Sequence, residues 1–393
     1  RPPAKAPELY AIVAGITEYA SPTLRLRFAA SDAEDIAKAL ELGARRLFGA
    51  DRVHLTLLAS SDDPRALPPT KANFLHAFEE ARRAHPEDVF LLYLAGHGTT
   101  LARGSDLYLY LTADARGFDL SDPELRRASS ISSEELVQWV KQVPALKQVM
   151  ILDTCGAGGA AAKLVEKRDV PGDQVRAIDR LKDRTGFHVL MGSAADAVSY
   201  EATRYGQGLL TYALLQGMRG AALREDEYVD VSRLFQYAAD KVPELAADLG
   251  GIQRPLVAAP GGTSFDVGLL TSEDKREIPL AAVHAMVLRP SLIDRDQGFD
   301  DLNLTSLLRQ ALRDRARVEA RGPAQAVYVD EEELPGALRP TGTYAVEGDQ
   351  VTVNLVLRRE GATVARREIQ GQRGDLPGLV QHLLDAISDA AKP

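Results

Sequence analysis

Between residues 9 and 270 the chain alternates two hydrophobic periods. Short continuous apolar runs recur at "LYAIVAG" (9–15), "RVHLTLL" (52–58), "DVFLLYLAGHG" (88–98), "KQVMILD" (147–153) and "FHVLMGS" (187–193). Each has strand length and is flanked by charged or glycine-bearing segments. Between them lie stretches with helical spacing. "SDAEDIAKALEL" (31–42) brings Ala33, Ile36, Ala37 and Leu40 to one side. "TKANFLHAFEEA" (70–81) follows a cap at Thr70 and aligns Phe74, Ala77, Phe78 and Ala81. "SSEELVQWV" (132–140) opens on the capping box Ser132–Glu135. "GQGLLTYALLQGM" (206–218) and "DVSRLFQYAADKV" (230–242) read as two more helices, and "LYLYL" (107–111) as an edge hairpin strand. Apolar strands alternating with amphipathic helices predict an α/β fold, a mostly parallel sheet covered on both faces.

The pattern changes after "GGTSFDVGLLTSEDKREIP" (261–279), which sets a domain boundary near residue 274. The tail predicts a strand (282–289), a helix (302–317), a strand (325–330), two strands around "EGDQ" (342–358), a further strand (362–369) and a last helix (375–391). Alternation through "TYAVEGDQVTVNLVLRREGATVARREI" indicates an antiparallel meander, hence a small α/β (α+β) accessory domain over 275–393. Residues 1–7 read as a Pro/Ala linker, and residues 8–270 form the first domain. The chain opens on Arg1 rather than methionine, so an upstream signal peptide or domain is expected. The stretch 156–186 is long, charged and without a clear strand, as functional or mobile connections are.

Charge narrows the partners. The formal net charge is −9, against nucleic acid as a main partner. No apolar stretch approaches membrane-spanning length. A soluble chain is expected, cytoplasmic or, with a removed signal peptide, extracytoplasmic. The single cysteine, Cys155, rules out an internal disulfide and any multi-cysteine zinc site.

Cys155 and His97 carry the candidate chemistry. They follow the fourth and third apolar strands, and open α/β sheets gather chemistry at the carboxyl ends of their strands. A thiol is a nucleophile only as thiolate, and an adjacent imidazole can take its proton. Gly96 and Gly98 flank His97, and the backbone N–H groups of Gly98 and Cys155 are candidate oxyanion donors. A lone cysteine after an apolar strand is also a common packing residue, and a histidine in a glycine turn is often structural. It is their joint placement that favours chemistry. The other histidines (His54, His76, His85, His188, His284 and His382) have no comparable setting.

"LLYLAGHGTT" and "QVMILDTCGAG" resemble the paired His and Cys motifs of the caspase-like peptidases, the family of caspases, metacaspases and bacterial relatives. "YAIVAGITEYASPTLRLRFAASDAEDIAKALE" resembles the opening strand and helix of the bacterial members, and "GQGLLTYALLQGM" a helix of their smaller subunit region. The likeness spans about residues 8–268. It implies a caspase–hemoglobinase fold and a cysteine endopeptidase acting on a protein or peptide, with no cofactor. Cys155 would be nucleophile, His97 general base, and Gly98 and Cys155 the oxyanion donors. Many members carry His-Ser after the cysteine, where this chain has Gly156–Ala157. Some metacaspases are activated by calcium, but no acidic cluster here matches a calcium loop.

Asp153 lies two residues before Cys155, so in an extended strand both face the same side. A carboxylate there repels an acidic P1 side chain and attracts a basic one. Caspases, which cut after aspartate, carry glutamine at the matching place. Metacaspases, which cut after Arg or Lys, match more closely, and their second pocket acid falls on Asp32 in "FAASDA". The expectation is P1 Arg or Lys. Asp32 could instead cap the following helix, as could Ser31, and Asp153 could be held by loop N–H groups. The resemblance makes "VLMGSAADAVSYE" (189–201) a cleft wall, with Ser193 and Asp196 as candidates. It also makes 160–186 the inter-subunit loop, whose Lys and Arg residues invite self-cleavage.

The tail has no catalytic constellation. It faintly resembles the amino-terminal domain of TolB-like proteins, and a docking, sensing or recruiting role for a regulatory partner is expected of it. The rival to a peptidase is a catalytically silent scaffold. A third reading is an amide hydrolase passing its acyl group to an acceptor other than water.

Overall fold

The computed structural model describes residues 6–101, 107–156, 188–192, 205–247, 253–258, 264–281, 285–318, 326–329, 332 and 336–391. The chain divides into two compact units. The first holds Arg1–Ala202, Gln207–Ala247 and Gly251–Ala281; the second holds Ala282–Pro393 with two short segments, Thr203–Gly206 and Asp248–Gly250.

In the first unit, β1 (Leu9–Gly15), β2 (Val53–Ala59), β3 (Val89–Thr100), β6 (Lys147–Gly156) and β7 (His188–Met191) run parallel in the order β2-β1-β3-β6-β7. Three antiparallel strands extend this sheet. β9 (Leu256–Ala258) pairs with β7, while β4 (Tyr108–Leu111) pairs with the end of β3 and with β5 (Ser130–Ser132), which directly follows helix α3 (Pro123–Ser129). β8 (Tyr228–Asp230) and β10 (Asp266–Leu269) form a separate antiparallel pair.

Alternation along the central strands sorts two cores. Phe90, Leu92 and Leu94 of β3 and Met150 and Leu152 of β6 meet helices α2 (Lys71–Ala81) and α4 (Ser133–Lys141) through Phe74, Phe78, Leu136 and Trp139. Leu91, Val149 and Ile151 take the opposite phase. They line a cavity with α1 (Ala29–Phe48), α5 (Leu209–Gln216) and α6 (Val231–Ala247) through Ile36, Leu40, Leu214 and Phe235. The period-two alternation explains why both faces read as apolar.

The local signals act as the residues dictate. Thr70 accepts the N–H of Asn73 at the start of α2, and the Ser132–Glu135 capping box is formed in both directions. Helix α1 begins earlier than its apolar spacing suggests, with Phe28 at the cap position and no side-chain cap. Ser31 donates to the Phe28 carbonyl, and Asp32 stands inside the first turn. The capping reading of Asp32 and Ser31 is therefore corrected. β3 and β6 also run further than their apolar runs. His97 and Cys155 lie within paired strands, not beyond them, because the β3–β6 ladder runs on to Gly98 and Gly156, and β4 then pairs with Gly98–Thr100.

Helix α7 (Ser272–Glu277) belongs to the first unit, since Asp274 is hydrogen-bonded and ion-paired to Arg46 of α1. The contact division accordingly falls after Ala281 rather than near 274. In the second unit, β11 (Ala285–Val287), β12 (Ser291–Asp294), β13 (Ala326–Tyr328), β14 (Leu338–Glu347), β15 (Gln350–Arg359) and β16 (Ala362–Gln372) form one mixed sheet. β14–β15–β16 is the expected antiparallel meander, and α8 (Leu304–Val318) and α9 (Leu376–Ala391) bury Leu308, Leu383 and Ile387 with its Val351, Val353 and Leu355. β12 carries too few apolar residues to be read from sequence; it is held by parallel pairing to β14.

The Phe78 ring lies tilted at 5.8 Å from that of Phe90 and 5.3 Å from that of Trp139, the only tryptophan. Phe78→Ala is expected to destabilise the first unit by about 3–5 kcal/mol. Urea unfolding followed by Trp139 fluorescence measures it directly.

Candidate active site

The site grows from one register. β3 and β6 pair in parallel with Tyr93 opposite Ile151, Ala95 opposite Asp153, His97 opposite Cys155 and Gly98 opposite Gly156. Two residues 58 positions apart in sequence are thereby neighbours across a sheet.

His97 is held on three sides. Its backbone N–H donates to the Tyr19 hydroxyl at 2.9 Å. Its ring lies 5.1 Å from the rings of both Tyr19 and Phe118. Its Nε2 is 2.8 Å from the Leu24 carbonyl oxygen. A carbonyl only accepts, so this bond places the proton on Nε2 and leaves Nδ1 with its lone pair. The residue is only 9% exposed, and Nδ1 has no hydrogen-bond partner among the described residues. Burial pushes the imidazole below its usual range, an effect larger than the opposing pull of the Leu24 bond. The neutral ring is thus a base with one free nitrogen.

Glycine at two positions is a steric requirement. Gly96 has φ +145°, and a Cβ there would lie 2.8 Å from the Tyr19 hydroxyl. A Cβ on Gly98 would overlap the Tyr108 hydroxyl, which instead donates to Thr154 Oγ1 at 2.9 Å. The turn at Gly96 has a further effect. Strict alternation would put the His97 ring with Tyr93, yet it contacts Tyr19 and Phe118 of the core under α2 and α4.

On the α1/α5 face stands a pair of carboxylates. Asp32 of α1 is 3% exposed, and its Oδ2 accepts the Gly208 N–H at 3.0 Å. Asp153 of β6 accepts the Thr211 hydroxyl at 2.6 Å and the Thr211 N–H at 3.3 Å, both on Oδ2. Tyr93 completes a relay, its hydroxyl 2.6 Å from Thr211 Oγ1. Thr211 gives its one proton to the carboxylate, so Tyr93 donates to Thr211. A point one methyl beyond Gly208 Cα lies 2.9 Å from Asp32 Oδ2 and 3.0 Å from Asp153 Oδ2, so the two oxygens are within about 6 Å of each other.

Burial first, then the charge of Asp153, holds the Asp32 carboxyl well above the usual range. Burial likewise raises Asp153, against the pull of Thr211 and Tyr93. One helical turn on, Asp35 is pushed up to about 6, chiefly by burial, while accepting the Gln207 amide at 2.6 Å.

The structure thus brings Asp32 and Asp153 together, and aligns the backbones of His97 and Cys155. Ser193, Asp196 and the self-cleavage segment 160–186 lie outside the described residues. Sequence reasoning missed Tyr19, Leu24, Tyr93, Thr211 and Gln253. Tyr93 and Thr211 looked like ordinary members of apolar runs. The Leu24 contribution is a backbone carbonyl, which no residue type announces. Among the described residues, no group of three or more His, Cys, Asp or Glu could hold a metal ion. No described helix is long and apolar enough to cross a membrane.

Residues 8–262 match the caspase domain family. No curated protein matches the chain. Among the solved structures that align with it are the two that follow. Protein GSU0716 from Geobacter sulfurreducens shares 16% identity over 65% of this chain and 95% of its own, with a TM-score of 0.40. Pro-sf-caspase-1 shares 13% over 68% of this chain and 93% of its own, with a TM-score of 0.40.

A carboxyl raised in the folded state binds its proton more tightly there than in the unfolded chain. Folding then loses stability as pH rises through that raised range. Asp32→Asn keeps an oxygen for the Gly208 N–H and removes the charge. It is expected to raise the thermal midpoint at pH 8, with the gain shrinking as pH falls toward the ordinary aspartate range. Melting curves of both proteins across that range test it.

Proposed function

The chain belongs to the caspase domain family, and from that premise we propose that it is a cysteine endopeptidase in which Cys155 is the nucleophile and His97 its general base. The observation that carries the reading is the pairing of His97 with Cys155 on adjacent parallel strands. The free Nδ1 of a neutral, carbonyl-anchored imidazole adds to it.

The steps follow from those groups. The Cys155 thiol gives its proton to His97 Nδ1, and the thiolate attacks the scissile carbonyl carbon. The carbonyl oxygen gains the electron pair, and the Gly98 and Cys155 N–H groups receive it. Collapse breaks the C–N bond, the leaving amine takes the proton from His97, and a thioester remains. Water, deprotonated by His97, then releases the acid and restores the thiol. The Leu24 carbonyl keeps the ring in one tautomer throughout and stabilises the imidazolium that forms.

Asp32 and Asp153 are the proposed P1 pocket, for Arg or Lys. Two partly desolvated carboxylates in one site are costly without a cation, and a basic side chain supplies one. By the same reading, the Lys and Arg residues of 160–186 are self-cleavage sites, and the second unit recruits a regulatory partner.

Fluorogenic peptides ending in Arg, Lys or Asp at P1 test the assignment. Arg or Lys peptides are expected to be cleaved, Cys155→Ala to abolish turnover, and His97→Ala to lower kcat about a thousandfold. Asp153→Asn is expected to lower kcat/KM on basic peptides about tenfold to a hundredfold. In the wild type, kcat/KM should fall as pH drops and the pocket pair takes up a proton, weakening its attraction for a cation. Cleavage confined to Asp peptides would sink the pocket and keep the dyad. Mass spectrometry should find cuts within 160–186 in the wild type and none in Cys155→Ala.

A further inference from the structure

Two acceptor oxygens beside Asp153 have no partner among the described residues: Oδ1 of Asp32 and Oε1 of Gln253. Both are buried, their residues 3% and 4% exposed. Gln253 precedes β9, the antiparallel strand beside β7. A point one methyl beyond Gly192 Cα lies 3.3 Å from Gln253 Nε2 and 3.4 Å from Asp153 Oδ1. Asp153 therefore has Asp32 near one oxygen and the Gln253 amide near the other.

Buried acceptors left unpaired are destabilising, and native proteins keep few of them. The inventory here is one carboxylate oxygen and one amide carbonyl oxygen without donors, beside the Asp153 carboxylate, whose Oδ2 takes two hydrogen bonds from Thr211. An ammonium group offers three donors from a single point. A guanidinium offers five in a rigid planar fork, wide enough to serve acceptors on opposite sides of it.

Resting on the basic-P1 reading above, we infer that Gln253 is a specificity-determining residue that favours arginine over lysine at P1. The guanidinium donates to Asp153, to Asp32 Oδ1 and to Gln253 Oε1 together. A lysine ammonium seated between the carboxylates leaves Gln253 Oε1 buried and unpaired, and that cost falls on lysine alone. Gln253 is invisible to a search for charged pocket residues, because it is neutral and about a hundred residues beyond Asp153 in the chain.

The test uses the full chain carrying Cys155→Ala, so that binding is read without turnover. Two peptides identical except for Arg or Lys at P1 are titrated by calorimetry. Arginine is expected to bind about tenfold more tightly. Adding Gln253→Met, close in size and without the acceptor, is expected to bring the two within about twofold, mainly by weakening arginine. Gln253→Glu keeps an acceptor oxygen in place and should retain the preference. Equal binding of the two peptides, a preference untouched by Gln253→Met, or one lost in Gln253→Glu overturns the role of Gln253 and leaves the basic pocket standing. Failure of both basic peptides to bind overturns the basic-P1 reading, and this inference with it.

Discussion

The parallel pairing of β3 with β6 is the constraint on which the site depends. It sets Ala95 beside Asp153 and His97 beside Cys155. A one-residue slip would exchange the faces of every side chain on β6. Leu152 and Met150, buried under α2 and α4, and Ile151 and Val149, buried under α1 and α5, would all be misplaced at once. The apolar core on both faces therefore fixes the register, and the register fixes which polar residues meet at the strand ends.

The two halves of the site are built by opposite means. His97 is oriented by backbone and aromatic groups that stay neutral: the Leu24 carbonyl, the Tyr19 hydroxyl and the Phe118 ring. Burial favours its neutral imidazole. The carboxylate pair is instead held under electrostatic tension. Asp32 and Asp153 share a small space, with hydrogen bonds from Gly208 and Thr211 offsetting only part of their desolvation. Removing a charge would favour the fold and weaken the pair's attraction for any cation.

Elements with strong local signals were legible in the sequence. The Thr70 cap and the Ser132–Glu135 box form as written, and the buried positions of α1 and α2 are those with helical spacing. The meander of the second unit followed from alternation. What was not legible had non-local causes. β12 is a strand because β14 offers it an edge. β3 continues past Gly98 because β4 returns beside it. Asp32 is no cap, because the helix begins three residues earlier and its carboxylate meets a glycine N–H 176 residues away.

The sequence by itself determined the α/β class of the first unit, the strands that carry His97 and Cys155, and the nearness of Asp153 to the strand end. These rest on periodicity and on residue chemistry within a few positions, which a linear pattern records in full. Only the tertiary structure decided which nitrogen of His97 carries the proton, that Asp32 comes close to Asp153, and that Thr211, Tyr93 and Gln253 lie nearby. Those facts depend on backbone carbonyls, a positive φ at Gly96 and contacts between residues more than fifty positions apart. No residue type encodes them locally, because each is fixed by the packing of two elements whose separation in the chain carries no information about their distance in space.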